Sequence, residues 1–502
     1  MPRASVSAPA AASAGILAGA AVLGVGHLAA AFIDPNASPF YALGAWMVDH
    51  TPRELKDAAI ARFGTKDKLA LFLSMAVVMT LAAAAAGLLE RRRLGSPLLA
   101  LGVIAAAAAA LDRPAATAWF ALPALLGGIA GILVLRLLFR PPRHDAEPAS
   151  PTRRRFLTLS AGLGVVIVGA AVAGQWLGDR FHDVVADRDR FRVPVPRRTA
   201  RPATDLRVPG LTEFVTPEDR FYRIDTALRL PALSSGDWRL RIHGMVDRVV
   251  ELDMDDLRSR TAVAAMITLT CVSNEVGGDL AGTAVWTGYR LADLLAEAGV
   301  HPDADMLLSR SVDGFTAGTP VSAITDGRDA LLAVGMNGRA LPIAHGYPAR
   351  LIVPGLYGYV SATKWVTDLE LTRFDRARAY WTDRGWAPRA PIKTASRIDV
   401  PAAFADLPAG PVTVAGVAWA QRRGVDRVEV QVDDGPWRSA DLGAEYSIDT
   451  WRQWSLRWEA TPGTHTLRVR ATDRTAATQT ASRATPFPDG ATGLHSRIVT
   501  IE

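Results

Sequence analysis

The sequence predicts three parts in order: an α-helical transmembrane bundle, an α+β domain and a C-terminal β-sandwich. Of its 502 residues 49% are hydrophobic and only 21% charged, which is too apolar for a single soluble enzyme. The apolar excess is concentrated near the start of the chain, and from about residue 411 short runs alternate with the period of a β-strand. The predicted bounds are a membrane domain at 1–178, a linker at 179–210, the α+β domain at 211–400 and the sandwich at 401–502.

Composition excludes several classes of function. Lysine and arginine exceed the acidic residues only by 56 to 50, with no long basic run, which argues against a dedicated nucleic-acid binder. The hydrophobic content and 13 tryptophans exclude a mainly disordered chain. With Cys271 as its one cysteine, the sequence cannot form an intramolecular disulfide, a zinc ribbon, an iron–sulfur cluster or a c-type haem motif. Any chemistry that needs sulfur must therefore use Cys271.

Apolar segments at the start of the chain predict about five membrane spans. Four are long enough to cross a bilayer, and a shorter alanine-rich fifth lies among them. The spans that follow the first one favour a retained helix over a cleaved signal peptide. The long segments are 10–33, 69–89, 117–135 and 156–178, and the short one is 95–111.

Arginine-rich loops predict the orientation of these spans. Arginines cluster at 91–93 and again at 140–155, so both loops should be cytoplasmic by the positive-inside rule. The N-terminus would then lie inside and everything after residue 178 outside, which also turns the basic 34–68 loop outward. The stretch 152–158 (TRRRFLT) resembles a twin-arginine export signal, although an ordinary positive-inside anchor explains it equally well. His27 is the only histidine in the spans, which argues against a bis-histidine haem there.

The second half of the chain carries a mixed α+β pattern. The proline- and arginine-rich stretch 193–210 predicts an extended linker. A helix is predicted over 287–298, with Thr287 as its N-cap and Gly299 as its stop. No βαβ repetition, GxGxxG or P-loop motif is present. Strands are predicted at 238–243, 266–272, 350–354 and 364–371, and in the sandwich at 412–419, 427–432, 454–460 and 465–471.

The chemistry is predicted to lie in the segment 267–290. Cys271 ends a predicted strand there and is followed by a Ser-Asn and Gly-Gly turn. A thiolate suits a soft metal ion, and glycines let the backbone approach a ligand closely. The alternative is an inert buried cysteine, which is the commoner fate of a lone cysteine.

Four blocks in this half resemble the sulfite-oxidase family of molybdopterin enzymes, in the family's order and spacing. The resemblance runs from about residue 219 to 499. It implies an α+β molybdopterin-binding domain, followed by a sandwich like the family's immunoglobulin-like dimerisation domain. The blocks are TLTCVSNEVGG (268–278), DGFTAG (313–318), AVGMNGRALPIAHGYPARLIVPGLYGYVSATKW (333–365) and AYWTDRGW (379–386).

The resemblance also implies a set of site residues. Cys271 would be the thiolate ligand of molybdenum, and His345 and Arg350 would hold the phosphate and pterin of molybdopterin. Arginine suits a phosphate because its guanidinium donates a planar pair of hydrogen bonds. Arg223 would match the family's substrate-anion arginine as well as contact the cofactor. The other implied cofactor contacts are Phe221, Tyr222, Asp225, Asn274, Asp313, Ser361, Thr363 and Lys364.

The chain departs from the family at positions that concern the substrate. Glu275 and Val276 stand where sulfite oxidases commonly carry an arginine pair, and Trp386 stands near the family's active-site tyrosine. The expected function is a membrane-anchored, extracytoplasmic oxidoreductase with a molybdenum–molybdopterin cofactor, acting on a small oxyanion or sulfoxide. It would exchange electrons with an external cytochrome or quinone, and it could form a homodimer through the sandwich. The alternatives are a methionine-sulfoxide reductase of the same superfamily and a non-catalytic membrane receptor that keeps the fold.

Overall fold

The computed structural model describes residues 7–52, 55, 62, 67–113, 116–140, 151–181, 183–197, 200 and 205–502. The chain divides into two compact units, Met1–Asp183 with Ala227–Leu230, and Val184–Thr226 with Pro231–Glu502. The predicted α+β domain and sandwich thus fall within one compact unit. Of the basic residues predicted to face outward in the 34–68 loop, Arg53, Lys56 and Lys66 lie outside the described residues.

The first unit is helical, as predicted. Four stretches within the described residues are long and apolar enough to cross a membrane: Ala8–Ala30, Lys68–Glu90, Ala118–Leu138 and Phe156–Gly178. The fifth predicted span is a helix of 17 residues, just short of that group. Part of the predicted 34–68 loop is helical. The helices are α1 (Ala8–Ala30), α2 (Pro39–His50), α3 (Asp67–Glu90), α4 (Gly95–Leu111), α5 (Leu122–Leu138) and α6 (Pro151–Phe181).

Small residues bring α1 and α3 into close contact. A Cβ added to Gly15 would lie 2.1 Å from the carbonyl oxygen of Ala83, and one added to Gly87 would lie 2.0 Å from that of Ala11. These residues are four apart on each helix, the spacing that lets transmembrane helices approach backbone to backbone. The twin-arginine prediction falls on the first turns of α6, where the side chains of 151–155 lie outside the described residues.

The second unit begins with one mixed sheet, in which β1 and β10 are parallel, one antiparallel sheet, and their helices. One sheet has the order β2-β1-β10-β5-β6, and the other has the order β3-β4-β7-β8 with β9 paired to β7. The helices are α7 (Val184–Arg190), α8 (Met254–Arg258), α9 (Leu291–Ala298), α10 (Ser322–Thr325) and α11 (Gly358–Ser361). The strands are β1 (Arg239–Gly244), β2 (Val250–Asp253), β3 (Val263–Thr270), β4 (Ala281–Arg290), β5 (Met306–Ser311), β6 (Thr316–Pro320), β7 (Leu331–Met336), β8 (Arg339–Ala340), β9 (Arg350–Ile352) and β10 (Val366–Thr372).

Two predictions in this region need correction. The helix predicted from Thr287 begins only at Leu291, because residues 281–290 form β4 and Thr287 is paired in its sheet. Its predicted stop is confirmed, since Gly299 adopts the left-handed conformation with φ of 71°. The predicted linker contains helix α7, whose Asp187 accepts hydrogen bonds from the Tyr347 hydroxyl at 2.6 Å and the Ser235 amide at 2.6 Å.

The C-terminal part is a sandwich of two sheets, as predicted. The sheets have the orders β11-β13-β17-β16 and β12-β19-β18-β14-β15. Their inner faces share one apolar core that includes Trp454 and Val469. The strands are β11 (Ala395–Val400), β12 (Asp406–Leu407), β13 (Gly410–Trp419), β14 (Val425–Val432), β15 (Arg438–Ser439), β16 (Asp441–Leu442), β17 (Arg452–Ala460), β18 (Gly463–Asp473) and β19 (His495–Ile501).

Hydrogen bonds from the sandwich hold β3, the strand that leads to Cys271. The Thr268 amide donates to the Asp449 carbonyl at 3.0 Å, and the Trp451 amide donates to the Thr268 hydroxyl at 2.7 Å. The Trp451 indole also donates to the Phe214 carbonyl at 2.9 Å. These groups are buried, so each unmade bond would leave a desolvated polar atom at a cost of about 1–3 kcal/mol. The sandwich therefore fixes the position of β3.

Candidate active site

Cys271 lies in a buried turn directly after β3. Its amide donates to the Leu280 carbonyl at 2.9 Å, its carbonyl accepts from the Asn274 amide at 3.1 Å, and its Sγ accepts from the Ser273 amide at 3.4 Å. Burial raises the pKa of the thiol, with the Ser273 hydrogen bond opposing the shift. The strand and the turn together hold Sγ at the wall of a cavity of about 120 Å³, here called the Cys271 cavity.

Sequence-predicted residues from four separate segments meet at the Cys271 cavity. Besides Cys271, the predicted residues in its wall are Phe221, Tyr222, Asp225, Asp313, Arg350 and Lys364. Tyr222 stacks on Phe221 with ring centroids 5.3 Å apart, and burial raises the pKa of its hydroxyl. The cavity thus combines a thiol, aromatic faces and charged groups of both signs.

Arg350 is a buried cation at this cavity, with only 4% of its surface exposed. Its Nη1 donates to the His345 carbonyl at 2.9 Å and its Nη2 to the Ala362 carbonyl at 3.3 Å, but its buried Nε has no partner among the described residues. The guanidinium lies 5.1 Å from the Trp286 ring centroid, and no carboxylate in the described part of the chain forms an ion pair with it. Burial lowers its pKa to about 10. A buried cation without a counter-ion indicates a site for an anionic group.

Lys364 and Asp225 form an ion pair in the same wall. Lys364 Nζ lies 3.1 Å from the Asp225 carboxylate and also donates to the Ala344 carbonyl at 3.1 Å. Burial lowers the pKa of Lys364 to about 8, although Asp225 opposes the shift. Arg223 Nε donates to the same carboxylate at 2.8 Å, but this arginine is 40% exposed and does not line the cavity. Asp225 therefore balances part of the positive charge that surrounds the site.

His345 lies behind the wall. Its ring packs edge-on against Phe221 at 5.6 Å, and its Nε2 lies 3.3 Å from the Glu218 carbonyl. Burial, reinforced by the charge of Arg350, lowers the pKa of His345 to about 3, so the imidazole is neutral at physiological pH. Its backbone carbonyl is what contacts the Arg350 guanidinium. The ring thus has a packing role in this structure, and a direct bond to a phosphate stays a prediction.

Three further predicted residues use their side chains within the protein. The Ser361 hydroxyl donates to the Leu356 and Tyr357 carbonyls at 3.1 and 3.0 Å, and the Thr363 hydroxyl lies 2.7 Å from that of Ser309. The Asn274 carboxamide oxygen accepts from the Leu280 amide at 2.9 Å and so closes the turn after Cys271. None of the three lines the Cys271 cavity as described. Their predicted cofactor contacts stay predictions.

Several residues of the cavity were not predicted as site residues from the sequence. Ser311 at the end of β5 is 2% exposed, and its hydroxyl has no partner among the described residues. An aromatic wall comes from Tyr359, Trp381 and Trp386, with Trp386 5.8 Å from Tyr359 and 6.2 Å from Trp381 between ring centroids. Only Trp386 was noticed from the sequence, as a departure from a tyrosine. Apolar aromatics at these positions look like ordinary core residues until the fold brings them to Cys271.

Comparisons with known proteins agree with this geometry. Residues 227–381 match the model of the oxidoreductase molybdopterin binding domain family. The chain is 29% identical over 307 residues to mitochondrial sulfite oxidase of Mus musculus, covering 51% of this chain and 55% of that protein. The human enzyme is 29% identical over 308 residues, covering 52% and 56%. The chain thus spans about half the length of the curated relatives it matches.

A solved structure supports the fold. The sulfane dehydrogenase SoxCD of Paracoccus pantotrophus superposes with a TM-score of 0.51 at 23% identity, covering 58% of this chain and 84% of that one. At this identity the likeness shows the fold alone. The donor set fits the group that the family binds: within the described part of the chain, the buried Arg350 Nε and Ser311 hydroxyl lack partners, and the cavity that they line also holds the thiol. Both polar atoms are donors, as an anionic, oxygen-rich cofactor requires.

Proposed function

We propose that the catalytic half of this chain is a molybdopterin-binding oxidoreductase of the sulfite-oxidase family and that it transfers oxygen atoms at a molybdenum ion bound by Cys271. The observation that carries the proposal is the buried Arg350 guanidinium, which faces the same cavity as the chain's one thiol and has no carboxylate partner among the described residues. Four helices in the described part of the chain that are long and apolar enough to cross a membrane support a membrane anchor.

Five residues of the Cys271 cavity have defined tasks in this proposal. Arg350 and Lys364 offer positive charge to a phosphate, and the Ser311 hydroxyl offers a neutral donor. The stacked rings of Phe221 and Tyr222 provide an apolar face. When bound, molybdenum supplies two-electron oxygen-atom transfer, which no side chain of this protein can perform. The buried wall excludes water from the thiol, which is 8% exposed.

The catalytic half would act outside the cytoplasm. This part of the proposal is supported by the arginine-rich loops at 91–93 and 140–155, which favour the cytoplasmic side. The twin-arginine-like stretch at 152–158 would allow export after folding, because the cofactor has to be buried before translocation. An external cytochrome or quinone would exchange electrons with the site, and the sandwich could support a homodimer.

Metal analysis tests the proposal directly. Full-length protein from cells grown with molybdate should contain one molybdenum and one molybdopterin per chain, and it should turn over a substrate with dye electron carriers. Cys271→Ser should leave the protein folded and membrane-bound but abolish turnover, because an alkoxide is a harder and far more basic ligand than a thiolate. Wild-type turnover by this variant at equal molybdenum loading would contradict the assignment. A folded wild-type chain without molybdenum would favour the receptor alternative.

A further inference from the structure

The first, helical unit contains four residues that come late in the chain. Ala227–Leu230 belong to this unit, although the residues on either side of them belong to the second unit. They follow directly on the segment 221–226, which supplies one wall of the Cys271 cavity. The chain therefore leaves the cavity wall and enters the helical unit within a single peptide bond. The wall residues of the segment are Phe221, Tyr222, Ile224, Asp225 and Thr226.

Contacts within the first unit hold this four-residue segment. The Lys68 ammonium group, at the start of α3, donates to the Ala227 carbonyl at 2.8 Å, and Ala227 is buried. The Leu228 side chain lies beside Gly44 of α2, where Met75 of α3 also reaches. A Cβ added to Gly44 would lie 3.2 Å from Leu228 Cδ1 and 3.2 Å from Met75 Sδ. A charge-assisted hydrogen bond and an apolar contact thus fasten the chain at two successive residues.

A fixed Ala227 limits the freedom of the residues that precede it. Consecutive Cα atoms are about 3.8 Å apart, so Asp225 stays within roughly 7 Å of the point that Lys68 holds. The Asp225 carboxylate lies 3.1 Å from Lys364 Nζ in the wall of the Cys271 cavity, and its side chain is 6% exposed. Release of Ala227 would let this carboxylate move away from Lys364. The bond from Lys68 therefore helps to keep the wall closed.

We propose that the helical unit is a structural part of the cofactor site as well as an anchor, and that Lys68 is a positioning residue for molybdopterin. The inference rests on the proposed function, which gives the helices only the role of an anchor. Lys68 does not line the Cys271 cavity, so it acts through Ala227 on the segment 221–226. Loss of the Lys68 bond leaves the catalytic half folded, but it loosens one wall of the cavity and speeds the release of the cofactor.

Hydrogen exchange of the full-length protein measures the order of the segment without relying on turnover. Lys68→Met should speed amide exchange in peptides that cover 221–230 about tenfold, because the Ala227 carbonyl loses its donor. Lys68→Arg keeps a cationic donor and should restore the wild-type rate. Leu228→Ala should act like Lys68→Met, through lost packing rather than lost charge. Leu99→Ala is the matched control, since Leu99 is also a half-buried leucine of the first unit but packs in another of its apolar clusters, and it should leave exchange in 221–230 unchanged.

Retention of the cofactor completes the test. The fluorescence of oxidised pterin that stays with the purified protein, followed over time, gives the rate of release. Lys68→Met and Leu228→Ala should release the cofactor about tenfold faster than the wild type, and Lys68→Arg and Leu99→Ala should release it at the wild-type rate. If exchange or release is unchanged in Lys68→Met, or if Leu99→Ala has as large an effect as Leu228→Ala, the role of Lys68 is wrong while the proposed function stands. A folded wild-type chain that cannot bind molybdenum would overturn both.

Discussion

Replacing Arg350 by methionine should separate the stability of the protein from its ability to hold a cofactor. Burial lowers the pKa of Arg350 from 12.5 to about 10, and each pKa unit corresponds to about 1.4 kcal/mol, so the charged form costs the cofactor-free protein about 3 kcal/mol at neutral pH. Against this cost stand two hydrogen bonds to the His345 and Ala362 carbonyls, at roughly 1.5 kcal/mol or more each. Methionine fills similar space without charge. The two effects nearly cancel, and the free energy of unfolding should change by no more than about 1 kcal/mol.

The effect on cofactor binding should be much larger. A guanidinium that donates to a buried phosphate contributes about 2–5 kcal/mol as judged by truncation, because its loss leaves the partner charge unpaired. We therefore expect Arg350→Met to weaken molybdopterin binding by a factor of roughly thirty or more. The prediction is therefore a large loss of molybdopterin affinity together with a small change in the free energy of unfolding.

Two measurements decide whether Arg350 binds the cofactor or stabilises the fold. Urea denaturation of cofactor-free wild-type and variant protein gives the change in stability, and fluorescence of the oxidised pterin released from each purified protein gives the occupancy. Near-equal unfolding midpoints with occupancy reduced to a few per cent would support the reasoning. A variant that loses several kcal/mol of stability but keeps its pterin would refute it, because Arg350 would then be a structural residue. Full occupancy with a raised KM would assign Arg350 to the substrate.

Three further predictions concern the turn, the sandwich and the membrane anchor. Gly277→Ala should lower the free energy of unfolding by roughly 3 kcal/mol and reduce cofactor retention, because the φ of Gly277 is 80° and an added Cβ would lie 2.2 Å from the His495 ring. Gly338 is the control, since it has the same φ but open space around it. Urea denaturation of Gly338→Ala should show a loss of only roughly 1–2 kcal/mol. Burial lowers the pKa of His495 to about 4, and its Nδ1 accepts from the Ile398 amide. Folding stability should therefore fall by at most roughly 3 kcal/mol as the pH drops from 6.5 to 4, because protonation of His495 then favours the unfolded chain. His495→Asn should remove this decline from the pH profile of unfolding. Changing the arginines at 153–155 to lysine keeps the charge but should block export, and undiminished protease accessibility of the exported half would rule out the twin-arginine route.

Membrane spans were predictable because their signal is local. A run of apolar residues reports a bilayer-length helix without reference to the rest of the chain, and 95–111 coincides with α4 to the residue. Strand β4 was missed for the opposite reason. Nearly every one of its residues is buried, so both faces are covered and the alternation that marks a half-exposed strand is absent. The leucines of α9 then extended the apparent helix backward to Thr287.

The residues of the candidate site were likewise predictable only where the sequence around them carries a recognisable motif. Cys271 and Arg350 were found because they stand in motifs whose order and spacing survive in the chain. Ser311 was not, since a buried serine has no sequence signature until its hydroxyl is seen to lack a partner among the described residues. Arg223 shows what a motif cannot predict. Its position in the sequence matches the family's substrate-anion arginine, but in this fold its side chain is 40% exposed and bonded to Asp225.

The hydrogen bonds between β3 and residues 449–451 also mean that the site can form only late in the synthesis of the chain. The contacts of the Cys271 turn are complete only when the chain has been made as far as His495, whose ring packs against Gly277 of that turn. Helix α6 ends at Phe181, so roughly 310 residues separate the last membrane helix from a finished site. At about 5–20 residues per second, the helices leave the ribosome some 15–60 s before the site can close. Membrane insertion and cofactor capture are therefore separate events, and a ribosome stalled in the sandwich would leave an anchored chain whose metal site cannot yet form.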